Sequence, residues 1–162
     1  DDVESRGLGD VYKRQRNSII PVMTIGYTPA PYTDNLERIT EIFPNTHHYI
    51  STIGIKDSDF SFVKGNVTLQ ISLHSFDEEK RGWLIPYPKK MSIDELGQIR
   101  TESNLKTTIN LTLVDESDFD ADKLEKHFDK EHFFVKLSPI NTNNISEKNN
   151  LGNGIIEGVN LV

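Results

Sequence analysis

A serine and a histidine two positions apart close the run Gln70-Ile71-Ser72-Leu73-His74-Ser75, just before the acidic helix start Asp77-Glu78-Glu79. A hydroxyl and an imidazole at the carboxyl end of a strand project toward the side where α/β proteins bind ligands, and a helix start beside them adds free backbone N–H groups. In the competing reading, Ser75 or Asp77 caps the helix and His74 is a satisfied loop residue. A second candidate closes another apolar run, Leu137-Ser138-Pro139-Ile140-Asn141-Thr142-Asn143. The Asn141 amide offers a donor and an acceptor, suited to vicinal hydroxyls or an adenine edge, although asparagine is also a common turn residue. The third is Ile50-Ser51-Thr52-Ile53-Gly54, where small hydroxyl residues followed by glycine could let a ligand approach the backbone.

Other constellations carry less. His47-His48, and His127 with His132, lack an accompanying ligand set for a metal ion. Asp118, Asp120 and Asp122 superficially follow a calcium loop, but Lys123 stands where that loop needs glycine and the closing bidentate glutamate is missing, so a solvated acidic helix start is expected. No G-x-S-x-G, P-loop, G-x-G-x-x-G or H-E-x-x-H pattern occurs. The chain has no cysteine, which removes disulfides, thiolate nucleophiles and any thiolate-bound zinc or iron–sulfur site built on its own side chains.

The elements that must position these residues alternate in type. Five β-prone apolar runs recur, Ser18–Ile25, His47–Ile53, Val67–Leu73, Thr107–Val114 and Phe133–Ile140, each bounded by polar or Gly/Pro punctuation. Pro21 lacks a ladder donor and prefers an edge strand. Between the runs lie helix-period segments. Asp34 is read as the cap of a helix carrying Leu36, Ile39 and Phe43, and Ser92-Ile93-Asp94-Glu95 is a capping box followed by Leu96 and Ile99. Ala121, Leu124 and Phe128 give a third stripe, with Asp122 and Lys126 spaced for an i,i+4 pair. Strands separated by helix-length intervals imply α/β architecture with a mostly parallel sheet and right-handed crossovers. The Asn-rich stretch 141–150 reads as a loop with at most one short helix.

The 162 residues suit one domain, with 35% hydrophobic and 27% charged residues and a formal net charge of -7. Lysines and arginines are scattered, so the charge does not support autonomous binding of a phosphate backbone, and RNA could be a substrate only with a basic surface from elsewhere. No apolar run reaches the roughly 18 residues of a membrane span and the amino terminus has no signal-peptide core, so no membrane partner and a cytoplasmic location are expected. The N-x-[ST] matches at Asn66, Asn110 and Asn144 are read as chance. Residues 1–16 have neither helical nor strand periodicity, and Gly7–Gln15 resembles translated adaptor sequence; they are set apart as a non-native or disordered leader, leaving 17–162 as the domain.

Together these pieces resemble the radical S-adenosylmethionine enzymes, closest to the branch of adenine methyltransferases acting on ribosomal and transfer RNA. The resemblance rests on Ile50-Ser51-Thr52-Ile53-Gly54, on Ile71-Ser72-Leu73-His74 followed by Asp77-Glu78-Glu79-Lys80-Arg81 and Leu84-Ile85-Pro86, and on Val135–Asn141, in matching order over about residues 18–143. It implies a partial (β/α)6 barrel lacking its first strand, with S-adenosylmethionine contacted by Ser51, Ser72, His74 and Asn141 and no residue here in a catalytic or metal-ligating role. In the intact family a [4Fe-4S] cluster reduces the cofactor to an adenosyl radical. The cluster cysteines lie before this region and the methyl-carrying cysteine after it, so the fragment is expected to be inactive alone. The family's Gly-Glu-Pro element falls on Gly26-Tyr27-Thr28-Pro29, where Tyr27 cannot supply the acid. A radical enzyme with another substrate fits the same pattern, and the contrasting reading is a non-catalytic α/β module binding a nucleotide or a protein partner.

Overall fold

The computed structural model describes residues 20–23, 30–114, 118–138, 140 and 147–149. In chain order its elements are β1 (Ile20–Met23), α1 (Ala30–Ile42), β2 (His48–Thr52), β3 (Lys64–Gly65), β4 (Val67–Ser72), α2 (Glu78–Leu84), α3 (Ile93–Gly97), β5 (Glu102–Ser103), β6 (Thr107–Thr112), α4 (Ala121–His127) and β7 (Phe133–Ser138). The fold is α/β. Five strands form one sheet in the order β1-β2-β4-β6-β7, every neighbouring pair parallel, while β3 and β5 make a separate two-stranded parallel ribbon. Pro21 sits in β1, at the end of that order, where a missing backbone donor is tolerated.

The order runs in one direction, without the reversal that marks a doubly wound sheet. Right-handed crossovers in a one-directional sheet deliver their helices to the same face, and the core shows it. Ile50, Leu69, Ile71, Ile109 and Leu111, alternate residues of β2, β4 and β6, are at most 1% exposed and form one cluster with Leu36 of α1, Ile93 and Leu96 of α3, Phe76 and Phe128. Residues of opposite parity face away from that cluster and are more open, as the alternating burial of β2 records.

Local chemistry explains the helix limits and corrects two expectations. α1 starts at Ala30 rather than being capped at Asp34, because Pro31 is tolerated in a first turn, where its missing N–H would have had no acceptor. Leu36 is buried, but Phe43 lies past the helix end, just before Pro44, and is 49% exposed. Asp77 caps α2 by accepting from Lys80 N at 2.7 Å, and Ser75 Oγ accepts from Asp77 N at 3.1 Å. The Ser92 capping box is present, with Ser92 N donating to Glu95 Oε2 at 2.7 Å and Glu95 N to Ser92 Oγ at 3.2 Å. Asp120 caps α4, whose Leu124 is half-buried and whose following Phe128 is buried, while Ala121 is exposed: α4 meets the core through its last turn only. Lys123 pairs with Asp120.

Two glycines let helices sit close. A side chain at Gly97 would collide with the His127 carbonyl, so α3 and the end of α4 touch through backbone. Gly54, at φ +72°, has Leu96 against it and is closed in by Met91 N donating to its carbonyl at 2.8 Å. Among the described residues no helix is long and apolar enough to cross a membrane.

Candidate functional site

The face of the sheet away from the helices is where the polar strand residues lie. Strand parity puts Ser51 of β2, Gln70 and Ser72 of β4, Thr108 and Asn110 of β6, and Lys136 and Ser138 of β7 on it, and the register makes Ser51–Gln70–Thr108 one row and Ser72–Asn110–Lys136 the next. Toward the carboxyl ends, Ser138 Oγ donates to Asn110 Oδ1 at 2.9 Å, and Ser72 is half-buried beside Asn110. Toward the amino ends the same face opens into a cavity of 740 Å³ lined by His47, Tyr49, Ser51, Gln70, Thr108 and Phe134 among others. There His47 stacks on Tyr49 with ring centroids 4.3 Å apart and its Nε2 lies 2.7 Å from Thr68 Oγ1. Burial, and then the neighbouring His48, hold His47 below the ordinary histidine pKa.

Of the residues singled out from sequence, Ser51 and Ser72 share this face, Ser51 at the cavity and Ser72 one row nearer the carboxyl ends. His74 follows two residues after β4 in a left-handed backbone conformation, φ +65°, uncommon for a side-chain-bearing residue. It is half-buried, and its Nδ1 is buried with no hydrogen-bond partner among the described residues. Burial lowers its pKa, the Arg81 guanidinium lowers it further, and Asp118 opposes the shift. Asn141 and Tyr27, with the leader 1–16, lie outside the described residues.

At the start of α2 two of the N–H groups are already taken, Lys80 N by the Asp77 carboxylate and Asp77 N by the Ser75 hydroxyl, which bears out the capping reading. Two local expectations change. Gly54 serves helix packing against Leu96 rather than ligand approach. Asp118 is not a solvated helix-start residue: it is wholly buried, accepts from Val114 N at 2.8 Å, and pairs with Lys80 Nζ at 2.5 Å.

The histidines are distributed by strand parity and local pairing. His47 faces the cavity while His48 is buried on the helix side, so the two cannot converge on one ion. His127 Nδ1 lies 2.8 Å from Asp94, and His132 Nδ1 lies 2.8 Å from Asp129.

Sequence reasoning missed Arg81 as a buried group. Its guanidinium is fully enclosed, donating to Met91 O at 2.7 Å and Ile53 O at 3.2 Å, with Glu78 at 3.6 Å. It thereby ties α2 to the segment after β2, and a planar fork of donors suits two carbonyls from different segments. Asn110 was also missed. The signal for it was a period-two polar set, Thr108-Asn110-Thr112, inside an otherwise apolar run.

Chemically, the carboxyl-end row offers hydroxyl and amide groups for hydrogen bonding, and the amino-end cavity offers aromatic surface. No family model matches the chain, and no solved structure matches it. Among curated proteins it is 35% identical over 102 residues to the probable dual-specificity RNA methyltransferase RlmN of Pseudothermotoga lettingae. The match takes in 57% of this chain and 30% of that protein, so the chain spans under a third of the length of this relative.

Proposed function

We propose that these residues are the cofactor-binding portion of a radical S-adenosylmethionine enzyme core, methyltransferase-like, built as part of a β/α barrel. Similarity over 102 residues to a probable RNA methyltransferase is the observation that carries the reading. Supporting it is the one-directional order of parallel strands, the order of a barrel segment rather than of a doubly wound sheet. Ser51, Ser72 and His74, with Asn141 beyond β7, are the groups proposed to hold the cofactor.

The residues fit S-adenosylmethionine in kind: half-buried Ser51 and Ser72 hydroxyls share the face away from the helices, and a buried imidazole nitrogen with no hydrogen-bond partner among the described residues sits at the end of β4. When bound, that cofactor supplies a methyl group or, on one-electron reduction, a carbon radical. The serine hydroxyls donate to and accept from ribose or carboxylate oxygens. A neutral His74, favoured by its burial and by Arg81, offers one ring donor and one acceptor without competing with a sulfonium cation. An iron–sulfur cluster does not fit these residues, which include no cysteine. RNA is the substrate class to test first, given the relative, although the net charge of -7 means its phosphates would need a basic surface from elsewhere.

Calorimetric titration of the chain with S-adenosylmethionine tests the proposal, with Ser72→Ala expected to weaken binding about tenfold, the usual effect of removing a hydrogen bond to a charged or strongly polar ligand group. Unchanged affinity in both Ser51→Ala and Ser72→Ala, or the absence of saturable binding, sinks it. Tighter binding of ATP than of S-adenosylmethionine would favour a nucleotide-binding module instead.

A further inference from the structure

The 740 Å³ cavity toward the amino ends of the strands is left unused by the cofactor reading, and its size falls within the roughly 300–1,000 Å³ of small-molecule sites. On one side β2 presents the stacked rings of His47 and Tyr49, with His47 Nε2 fixed 2.7 Å from Thr68 Oγ1; on the other, β7 presents Phe134, 59% exposed. β4 and β6 lie between them, so the two aromatic walls stand about 14 Å apart along the sheet, three strand spacings. Gln70 and Thr108, in register with Phe134, lie on the floor. The charge of the lining is also distinct. The chain carries 25 acidic and 18 basic residues, yet no carboxylate lines this cavity, while Lys106 and Lys136 both do. Lys106 is held at the rim by donating to Lys130 O at 2.6 Å.

We infer that this cavity is a second ligand site, for a planar aromatic anion of mononucleotide size whose ring lies against the His47–Tyr49 pair and whose anionic group is met by the lysines at the rim. Aromatic side chains stack on such a ring whatever its substituents, and the Gln70 amide offers a donor and an acceptor to a heteroaromatic edge. A cleft lined by cations, with no carboxylate to oppose them, concentrates anions. An uncharged ring would leave the lysines idle, and a bare phosphate would leave the rings idle. Ser51 is the residue this cavity shares with the proposed cofactor groups, at its border with the next row; the rings, the Gln70 amide and the two lysines belong to the cavity alone. The inference goes beyond the cofactor reading and does not rest on it.

Adenosine monophosphate is the probe, titrated calorimetrically into the whole chain, with adenosine and inorganic phosphate as its two halves. Saturable binding of the nucleotide, about tenfold or more tighter than of either half, is the expected result. Tyr49→Leu keeps apolar bulk but removes the ring, and is expected to weaken the nucleotide about tenfold. The double variant Lys106→Gln with Lys136→Gln is expected to weaken it by a similar factor and to leave adenosine unaffected. No saturable binding, or either half binding as tightly as the whole nucleotide, overturns the inference, as does unchanged nucleotide affinity in the lysine variant. Should Tyr49→Leu unfold, Phe134→Thr on the opposite wall takes its place, with about fivefold weaker binding expected and no change counting against the site. Saturating S-adenosylmethionine separates this site from the proposed cofactor groups: unchanged nucleotide affinity supports a second site, and displacement overturns it by making the cavity part of the cofactor's own. If S-adenosylmethionine does not bind at all, the cofactor reading fails while the nucleotide titrations still decide this one.

Discussion

The two faces of the five-stranded sheet are built from the same strands, yet they follow different rules. On the helix side Ile50, Leu69, Ile71, Ile109 and Leu111 are almost completely enclosed. On the other side, one residue along in each strand, stand Ser51, Gln70 and Thr108, which line a cavity, and Ser72 and Asn110 in the next row. A shift of one residue along a strand therefore separates groups that hold the fold together from groups that keep polar atoms on the opposite face. Each fully buried aliphatic side chain on the helix side contributes roughly 1.5–3 kcal/mol by removal from water, whereas the polar row contributes little to stability and has chemistry to offer instead.

The adjacent residues Ile71 and Ser72 give the sharpest test of that contrast. Ile71→Ala should lower unfolding free energy by about 2–5 kcal/mol, through lost burial and the cavity left behind, while Ser72→Ala should change it by less than about 1 kcal/mol; urea denaturation of both measures the gap, and equal losses would erase the distinction. Next in size, Gly54→Ala should cost about 1–3 kcal/mol, because a side chain there meets Leu96 and the backbone is left-handed. Removing the Ser92 cap by Ser92→Ala should cost about 1 kcal/mol in the same assay.

Acid supplies a further probe. The folded-state pKa of His74 is depressed, so the unfolded chain binds its proton more readily, and the associated stability is present above the ordinary histidine value of about 6.5 and lost as pH falls through the folded value. The urea midpoint should decline below that pH, and His74→Asn, which tolerates the left-handed backbone, should flatten the decline; an unchanged slope would show that His47 dominates. The smallest effect is expected at Phe134, 59% exposed on the open face, where Phe134→Thr should alter stability by no more than about 0.5 kcal/mol. A larger loss would mean that this face is covered in solution.

Much of the frame was legible in the sequence because it depends on local pattern. The runs His47–Ile53, Val67–Leu73, Thr107–Val114 and Phe133–Ile140 became β2, β4, β6 and β7 with small trims at their ends, and helix-length intervals between them gave parallel pairing. The Ser92 cap was readable because both of its partners lie within four residues. What escaped depends on contacts distant in sequence. In Asp77-Glu78-Glu79-Lys80-Arg81 nothing distinguishes Arg81 from its neighbours in the charge run; only the carbonyls of Ile53 and Met91 make it a buried anchor. Asp118 likewise needed Lys80, 38 residues away in the chain, to be recognised as internal. For the candidate site, the face shared by Ser51 and Ser72 follows from strand parity once the register is known, whereas the orientation of His74 depends on a backbone conformation that its residue type does not advertise.

The one-directional strand order has a further consequence for how the molecule comes apart. A sheet in which each strand pairs only with the βα units before and after it behaves as a row of nearest neighbours, so disruption can enter from either end without unzipping the middle. Amide exchange should then be graded across the row, fastest in β1 and β7 and slowest in β4, the middle strand of the five. The strand that ends in Ser72 would be the last to let go of its shape.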